Sequence, residues 1–143
     1  MKIKQLSIFL ENKPGNLMQA TRVLKNADVN ITALSLADTT EFGILRLILN
    51  DCPKAKKAFA DAGYVVSETD VAAIEIPNKP GSLEIILEHL SNAKVNIDYM
   101  YAFSLKGYEN ALMIFRFHEI DKALDALQSA NIPIVKNSDI SNG

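Results

Sequence analysis

The sequence predicts an α+β protein built from two similar units in tandem, each with the element order β-α-β-β-α-β. The first observation is a repeat: Asn-Lys-Pro-Gly-Asn-Leu at 12–17 returns as Asn-Lys-Pro-Gly-Ser-Leu at 78–83, an offset of 66 residues. The second is that Val-Asn-Ile at 29–31 returns at 95–97 with the same offset. Solenoid repeats have units of roughly 20–50 residues, so this longer period indicates a duplicated domain.

In the first unit, apolar and polar residues alternate over 3–10, which predicts a strand with Leu6, Ile8 and Leu10 on one face. The loop at 12–15 breaks this strand, and apolar residues then recur at helical spacing, with Pro14 acceptable in the first helical turn. The elements predicted after that are an extended segment at 29–37, a polar turn at 38–41, a strand at 44–49, a helix from Pro53 to Gly63, and a short strand at 64–67.

The second unit repeats this order. Its predicted elements are a strand at 71–76, a helix at 83–90, a strand at 95–105, a turn at 106–109, a strand at 111–117, a helix at 120–127 and a strand at 132–135. The offset grows to 68 where Ala62 matches Ala130, which a longer hairpin turn explains. We therefore expect units at 1–70 and 71–137, joined by short turns around Asp70 that keep the sheets close, and a loose polar tail at 138–143.

Composition excludes several classes of function. The net charge is −2 with scattered Lys and Arg, which argues against a nucleic-acid partner. No apolar run reaches the about 18 residues of a membrane span, and the start lacks the pattern of a signal peptide, so we expect a cytoplasmic protein without a membrane partner. The single Cys52 cannot form an internal disulfide, and neither His89 nor His118 lies in a zinc-binding motif. We expect no metal and no cofactor.

The element order, the Asn-x-Pro-Gly loop before the first helix and the Val-Asn-Ile segment before the second strand together resemble the ACT domain. The resemblance covers almost the whole chain, as two copies in tandem. It implies ferredoxin-like units, each an antiparallel sheet with both helices on one face. ACT domains are regulatory modules that typically bind amino acids in bacterial metabolism, and most are attached to a catalytic or DNA-binding domain. This sequence contains no such domain.

The resemblance also implies where a ligand binds. In the ACT family the ligand usually lies between two adjacent units, against the strand-to-helix loop of one and the second strand of the other. The positions implied here are Asn12, Pro14, Gly15, Asn16 and Leu17 with Asn96 and Ile97, and reciprocally Asn78, Pro80, Gly81, Ser82 and Leu83 with Asn30 and Ile31.

The residue types in these loops suit an amino acid. A carboxylate fits the N–H groups at a helix start, glycine permits close approach to the backbone, and asparagine can bond either end of a zwitterion. Asp98 replaces Thr32 of the first copy and could pair with the ammonium group, although a solvated strand residue is an equal alternative. The alternative for both loops is that Asn12 and Asn78 only cap helices.

The sequence therefore predicts a regulatory protein, not an enzyme, that binds a free amino acid and acts in trans on a metabolic enzyme or transporter. One alternative is a ligand-free interaction or dimerisation module. The other is a small-substrate isomerase or lyase with Asp98 as its base. Cys52, near a helix start where a thiolate is favoured, is a weak candidate for reactivity.

One strand face also predicts a homodimer. Ile44, Ile48 and Arg46 share a parity, as do Leu112, Ile114 and Arg116 in the second unit. The helices can cover only one face of each sheet, and both faces are apolar. We therefore expect the second face to be covered by another copy of the chain.

Overall fold

The computed structural model describes residues 1–38, 42–103 and 109–141. Within these residues the chain forms six strands and five helices, and the α+β, ferredoxin-like class predicted from the sequence is confirmed. The elements are β1 (Ile3–Glu11), α1 (Asn16–Asn26), β2 (Ile31–Asp38), β3 (Phe42–Leu49), α2 (Cys52–Asp61), β4 (Val66–Pro77), α3 (Ser82–Asn92), β5 (Ile97–Phe103), β6 (Asn110–Phe117), α4 (Ile120–Ser129) and α5 (Asn137–Ser141). The predicted turns at 38–41 and 106–109 fall largely outside the described residues. The longer hairpin turn that we expect to explain the changed offset lies outside them too.

The chain divides into two compact units. One comprises Lys4–Thr69 with Ser138–Gly143, and the other comprises Met1–Ile3 with Asp70–Asn137.

In the first unit, β3 lies between β1 and β2 and pairs antiparallel with both, with Leu6 and Leu34 each opposite Leu47. The N–H of Phe9 donates to the carbonyl of Val65 at 3.3 Å, which joins the segment before β4 to β1. Both helices bury their apolar stripes against one face of this sheet. That core contains Leu6, Ile8, Leu10, Ala20, Leu24, Val29, Leu45, Leu47, Leu49, Ala55 and Phe59.

The second unit has the same plan. Strand β6 lies between β4 and β5, with Ile74 opposite Met113 and Met100 opposite Phe115. Helices α3 and α4 cover one face. The core residues are Ala72, Ile74, Ile76, Ile86, Leu90, Val95, Ala111, Phe115, Phe117, Ala123, Leu124 and Leu127.

Three predicted boundaries are wrong. The predicted strands at 64–67 and 71–76 form the single strand β4, without a turn at Asp70, because Val66–Pro77 contains no glycine and no proline before its last residue. The predicted strand at 132–135 is reduced to one bridge between Ile134 and Ile74, since Pro133 lacks the N–H that a longer ladder needs. The predicted loose tail contains the short helix α5.

The sheet face away from the helices, predicted to be covered by a second chain, is partly buried in the single chain. Ile48 and Ile114 on this face are 0% and 2% exposed. In the first unit its apolar surface remains open at Phe9 and Phe42, which are 45% and 52% exposed. The homodimer stays a prediction, and these two side chains are where it can be tested.

Candidate functional site

The two strand-to-helix loops have the same backbone conformation. Gly15, with φ 89° and ψ −18°, is the N-cap of α1, and Gly81, with φ 90° and ψ −14°, is the N-cap of α3. This left-handed region favours glycine strongly. Glycine therefore occupies the N-cap position of both helices, and neither cap makes a side-chain hydrogen bond. Pro14 precedes the cap, so the prediction that it lies in the first helical turn is wrong.

Equivalent hydrogen bonds hold both loops. In the first loop, the N–H of Lys13 donates to the carbonyl of Glu11 at 2.9 Å, and that of Asn16 donates to the carbonyl of Lys13 at 3.2 Å. In the second loop, the corresponding bonds are Lys79 to Pro77 at 3.0 Å and Ser82 to Lys79 at 3.3 Å. The repeat in sequence is therefore a repeat in local structure.

The loops differ in their side-chain bonds at the first helical residue. The Asn16 amide donates from Nδ2 to the carbonyl of Glu11 at 2.9 Å and so ties the helix start to the end of β1. Ser82, at the equivalent position, is buried, and its hydroxyl has no hydrogen-bond partner in the described part of the chain.

The loops also differ in charge. Lys13 forms an exposed ion pair with Glu11 at 2.8 Å, and this bond lowers the pKa of the Glu11 carboxyl and raises the pKa of Lys13. In the second unit Pro77 takes the place of Glu11, so the lysine of that loop, Lys79, has no carboxylate two residues before it.

The predicted strand residues are anchored at the entrances to β2 and β5. The N–H of Asn30 donates to Oδ1 of Asn50 at 2.9 Å, and its carbonyl accepts from the Asn50 N–H at 3.2 Å. The carbonyl of Asn96 likewise accepts from the N–H of His118 at 3.1 Å. Ile31 and Ile97 then pack against the edges of their cores.

A β-bulge follows each of these isoleucines, and the sequence does not reveal it. The register shifts between Ile31 and Ala33 in the first unit and between Ile97 and Tyr99 in the second. The residues skipped are Thr32 and Asp98, and both are exposed. Bulges often redirect a side chain near a functional site, which gives the exchange of Thr32 for Asp98 a defined structural setting.

Within one unit, the structure does not bring the loop and the second strand together. Helix α1 begins at the loop and ends before β2, and its 11 residues extend ~16 Å. Helix α3 separates the second loop from β5 in the same way. Each unit therefore supplies the loop of one predicted site and the strand residues of the other. That the loop of one unit pairs with the strand of the other stays a prediction.

Each loop borders a pocket. That of the first unit holds about 120 Å³, and its walls include Asn12, Lys13 and Leu17. That of the second unit holds about 500 Å³ and includes Lys79 and Ser82. It also includes Glu75, Asn110 and Ile132, which the sequence did not identify because they are distant in sequence and lie outside the two repeated motifs.

Cys52 does not have the low pKa expected at a helix start. Burial first, and then the charge and hydrogen bond of Glu68, raise the pKa of the thiol to about 11. The Cys52 Sγ lies 3.6 Å from Oε1 of Glu68, where it donates the thiol hydrogen. The thiol is therefore held in its protonated, unreactive form at neutral pH.

Two kinds of feature are absent from residues 1–38, 42–103 and 109–141. In these ranges no cluster of three or more His, Cys, Asp or Glu side chains could hold a metal ion. None of the helices in the same ranges is long and apolar enough to cross a membrane.

Comparison with known proteins agrees with this architecture. The most similar structures include protein BT0572 from Bacteroides thetaiotaomicron, with 40% identity, a TM-score of 0.95, and coverage of 100% of this chain and 98% of that one. The ligand-free regulatory subunit of aspartate kinase from Thermus thermophilus has the same fold at 13% identity and a TM-score of 0.62, with 89% and 91% coverage. No curated protein matches the chain. The family described as the ACT domain pair matches residues 1–142, and this chain therefore belongs to that family.

Proposed function

We propose that this protein binds a free amino acid and, in response, regulates a metabolic enzyme or transporter in trans. The observation that carries the proposal is the repeated loop, in which a glycine with φ near 90° opens α1 and α3 in the two units of an ACT domain pair. The fold shared with the regulatory subunit of aspartate kinase supports a regulatory role.

The chemistry of the loops fits a zwitterion. The N–H groups and dipole of a helix start favour a carboxylate. Glycine, which has no side chain, lets the carboxylate approach the backbone. Asn12 and Asn78 in the loops, and Asn30 and Asn96 at the strands, supply amide donors and acceptors. Asp98, exposed on its bulge, supplies a negative charge for the ammonium group. A ligand held in this way regulates a partner by favouring one conformational state over another.

We propose that the protein is not an enzyme. In the isomerase or lyase alternative, Asp98 acts as a base close to a loop that holds the substrate. Within its own unit, Asp98 lies at the start of β5 and the loop lies at the far end of α3, so this alternative, like the predicted ligand site, requires the loop of the other unit. Cys52 offers no replacement nucleophile, because its thiol stays protonated at neutral pH.

The test is a melting experiment with each of the twenty amino acids. A ligand present at about 100 times its dissociation constant stabilises the folded protein by about 2.7 kcal/mol, which a melting curve detects. We expect one or a few responders, and a smaller response after Asn12→Ala or Asn96→Ala. Asn26→Ala is the matched control, because Asn26 is an exposed asparagine at the end of α1, outside the loops. A folded protein that responds to no amino acid would instead favour the ligand-free interaction module.

A further inference from the structure

The pocket of about 500 Å³ lies wholly within the second unit, between the end of β4, the start of α3 and the segment after α4. Its volume is within the about 300–1,000 Å³ range of sites for small organic ligands. Its lining includes Glu75, Lys79, Ser82, Ile85, Ile86 and Ile132.

One buried polar group in this pocket is not satisfied by the described residues. Ser82 is 7% exposed, and its Oγ has no hydrogen-bond partner among the residues that the structure describes. A buried hydroxyl without a partner is destabilising, whereas a hydroxyl that meets a ligand is satisfied. The position of Ser82 at the first turn of α3 gives a bound carboxylate both the hydroxyl and the favourable end of the helix dipole.

Two substitutions between the units explain why space is present here. Ser82 replaces Asn16, whose amide is tied to the Glu11 carbonyl. Ile132 replaces Tyr64, whose ring packs edge-on against Phe59 at a centroid distance of 5.4 Å. A smaller side chain at both positions leaves room in the second unit that larger groups occupy in the first.

The walls carry groups that are complementary to an amino acid with an apolar side chain. Glu75 is an exposed carboxylate that accepts a hydrogen bond from Nδ2 of Asn110 at 3.3 Å, and it can also bind an ammonium group. Lys79 and the Ser82 hydroxyl suit a carboxylate. Isoleucines from β4, α3 and the segment after α4 form the apolar surface.

We propose that this pocket of the second unit binds an amino acid with an aliphatic or aromatic side chain. The inference rests on the proposed function, since it takes amino acids as the ligand class, and adds a location and a side-chain preference. Unlike the predicted site between units, this pocket is complete within Asp70–Asn137.

The first experiment maps binding in the intact protein. The probes are L-isoleucine, L-leucine, L-valine and L-phenylalanine, with L-aspartate and L-lysine for comparison, each titrated by calorimetry. Isoleucine methyl groups are labelled with carbon-13 and observed by NMR during the titrations with unlabelled probes. We expect an apolar amino acid to bind and to shift the methyl signals of Ile85, Ile86 and Ile132. Shifts confined to isoleucines of the first unit would overturn the inference.

Two substitutions then test the pocket walls. Ile132→Tyr introduces the residue found in the first unit and should weaken binding at least about 10-fold by filling the pocket, whereas Val65→Tyr, at an exposed position of the first unit, should not. Ser82→Ala removes the hydroxyl and should weaken binding about 5-fold without lowering the melting temperature of the free protein. If Ile132→Tyr fails to fold, Ser82→Ala and the methyl map decide the matter.

The outcomes separate this inference from the proposed function. An amino acid that binds with unchanged affinity to both Ile132→Tyr and Ser82→Ala leaves the proposed function standing and overturns the pocket assignment. A preference for L-aspartate or L-lysine overturns the side-chain class. No response to any amino acid overturns the proposed function and this inference together.

Discussion

At the scale of single residues, the thiol of Cys52 gives a direct chemical prediction. Its pKa of about 11 leaves little thiolate near neutral pH. We expect alkylation of the folded protein by iodoacetamide at about pH 8 to be on the order of 100-fold slower than that of a free cysteine with an ordinary pKa of about 8.5. Mass spectrometry against time measures the rate. Glu68→Gln should accelerate the reaction, and equal rates for the folded protein and a free cysteine would contradict the raised pKa.

The same thiol predicts a pH dependence of stability. Since folding raises the Cys52 pKa, the unfolded chain loses this proton first as the pH rises. The stabilising contribution is complete below the unfolded pKa of about 8.5 and is lost as the pH approaches 11. Urea unfolding of the wild type and Cys52→Ala measures this, because other titrating groups are common to both. The wild type should lose more stability over this interval, and parallel curves would count against the assignment.

What the sequence could not predict at this scale is decided by contacts between distant positions. The helix start suggested a reactive Cys52, but burial and Glu68, 16 residues away, reverse its pKa. The exchange of Asn16 for Ser82 is visible in the aligned repeats, yet the missing partner of the serine hydroxyl appears only in three dimensions.

At the scale of elements, the glycine caps predict a conformational effect without a steric one. A Cβ added at Gly15 or Gly81 would meet nothing within 4 Å, so the cost of Gly→Ala comes only from φ near 90°. We expect Gly15→Ala and Gly81→Ala each to destabilise the fold by about 1–2 kcal/mol. Chemical denaturation measures the change. Gly→Asn should cost less at both positions, because asparagine tolerates this conformation better than alanine. An unchanged stability of both alanine variants would show that the loops adopt another conformation.

The helices and most strands follow from periodicity, because each unit buries one face of its sheet. The alternation that placed Leu6, Ile8 and Leu10 on one side of β1 is confirmed by their burial in the first core. The element ends were harder to predict. No local residue marks the bulges at Thr32 and Asp98, and the turn predicted at Asp70 lies inside the single strand β4.

At the scale of the whole molecule, duplication has preserved a backbone plan while the side chains diverged. Both units keep the glycine cap and the bulge. They differ at two positions in or beside the predicted ligand sites. These are Asn16 and Ser82 at the helix start, and Thr32 and Asp98 at the bulge. Under the proposed function, we therefore expect the two units to differ in ligand or in affinity.

The open apolar surface of the first unit argues for a homodimer. Phe9 lies opposite Ile44, and Phe42 precedes Ile44 by two residues on β3, so all three share the sheet face away from the helices. We expect light scattering at micromolar concentration to give twice the chain mass of 15.7 kDa. Phe42→Asp should shift the protein towards one chain, because a charge would be buried at the contact.

Met18→Asp is the matched control for this dimer test, since Met18 is exposed and apolar but lies on helix α1, which covers the opposite face of the sheet. It should leave the mass unchanged. A wild-type mass of one chain would refute the dimer. An equal effect of both substitutions would show that general loss of apolar surface, rather than contact through Phe42, controls association.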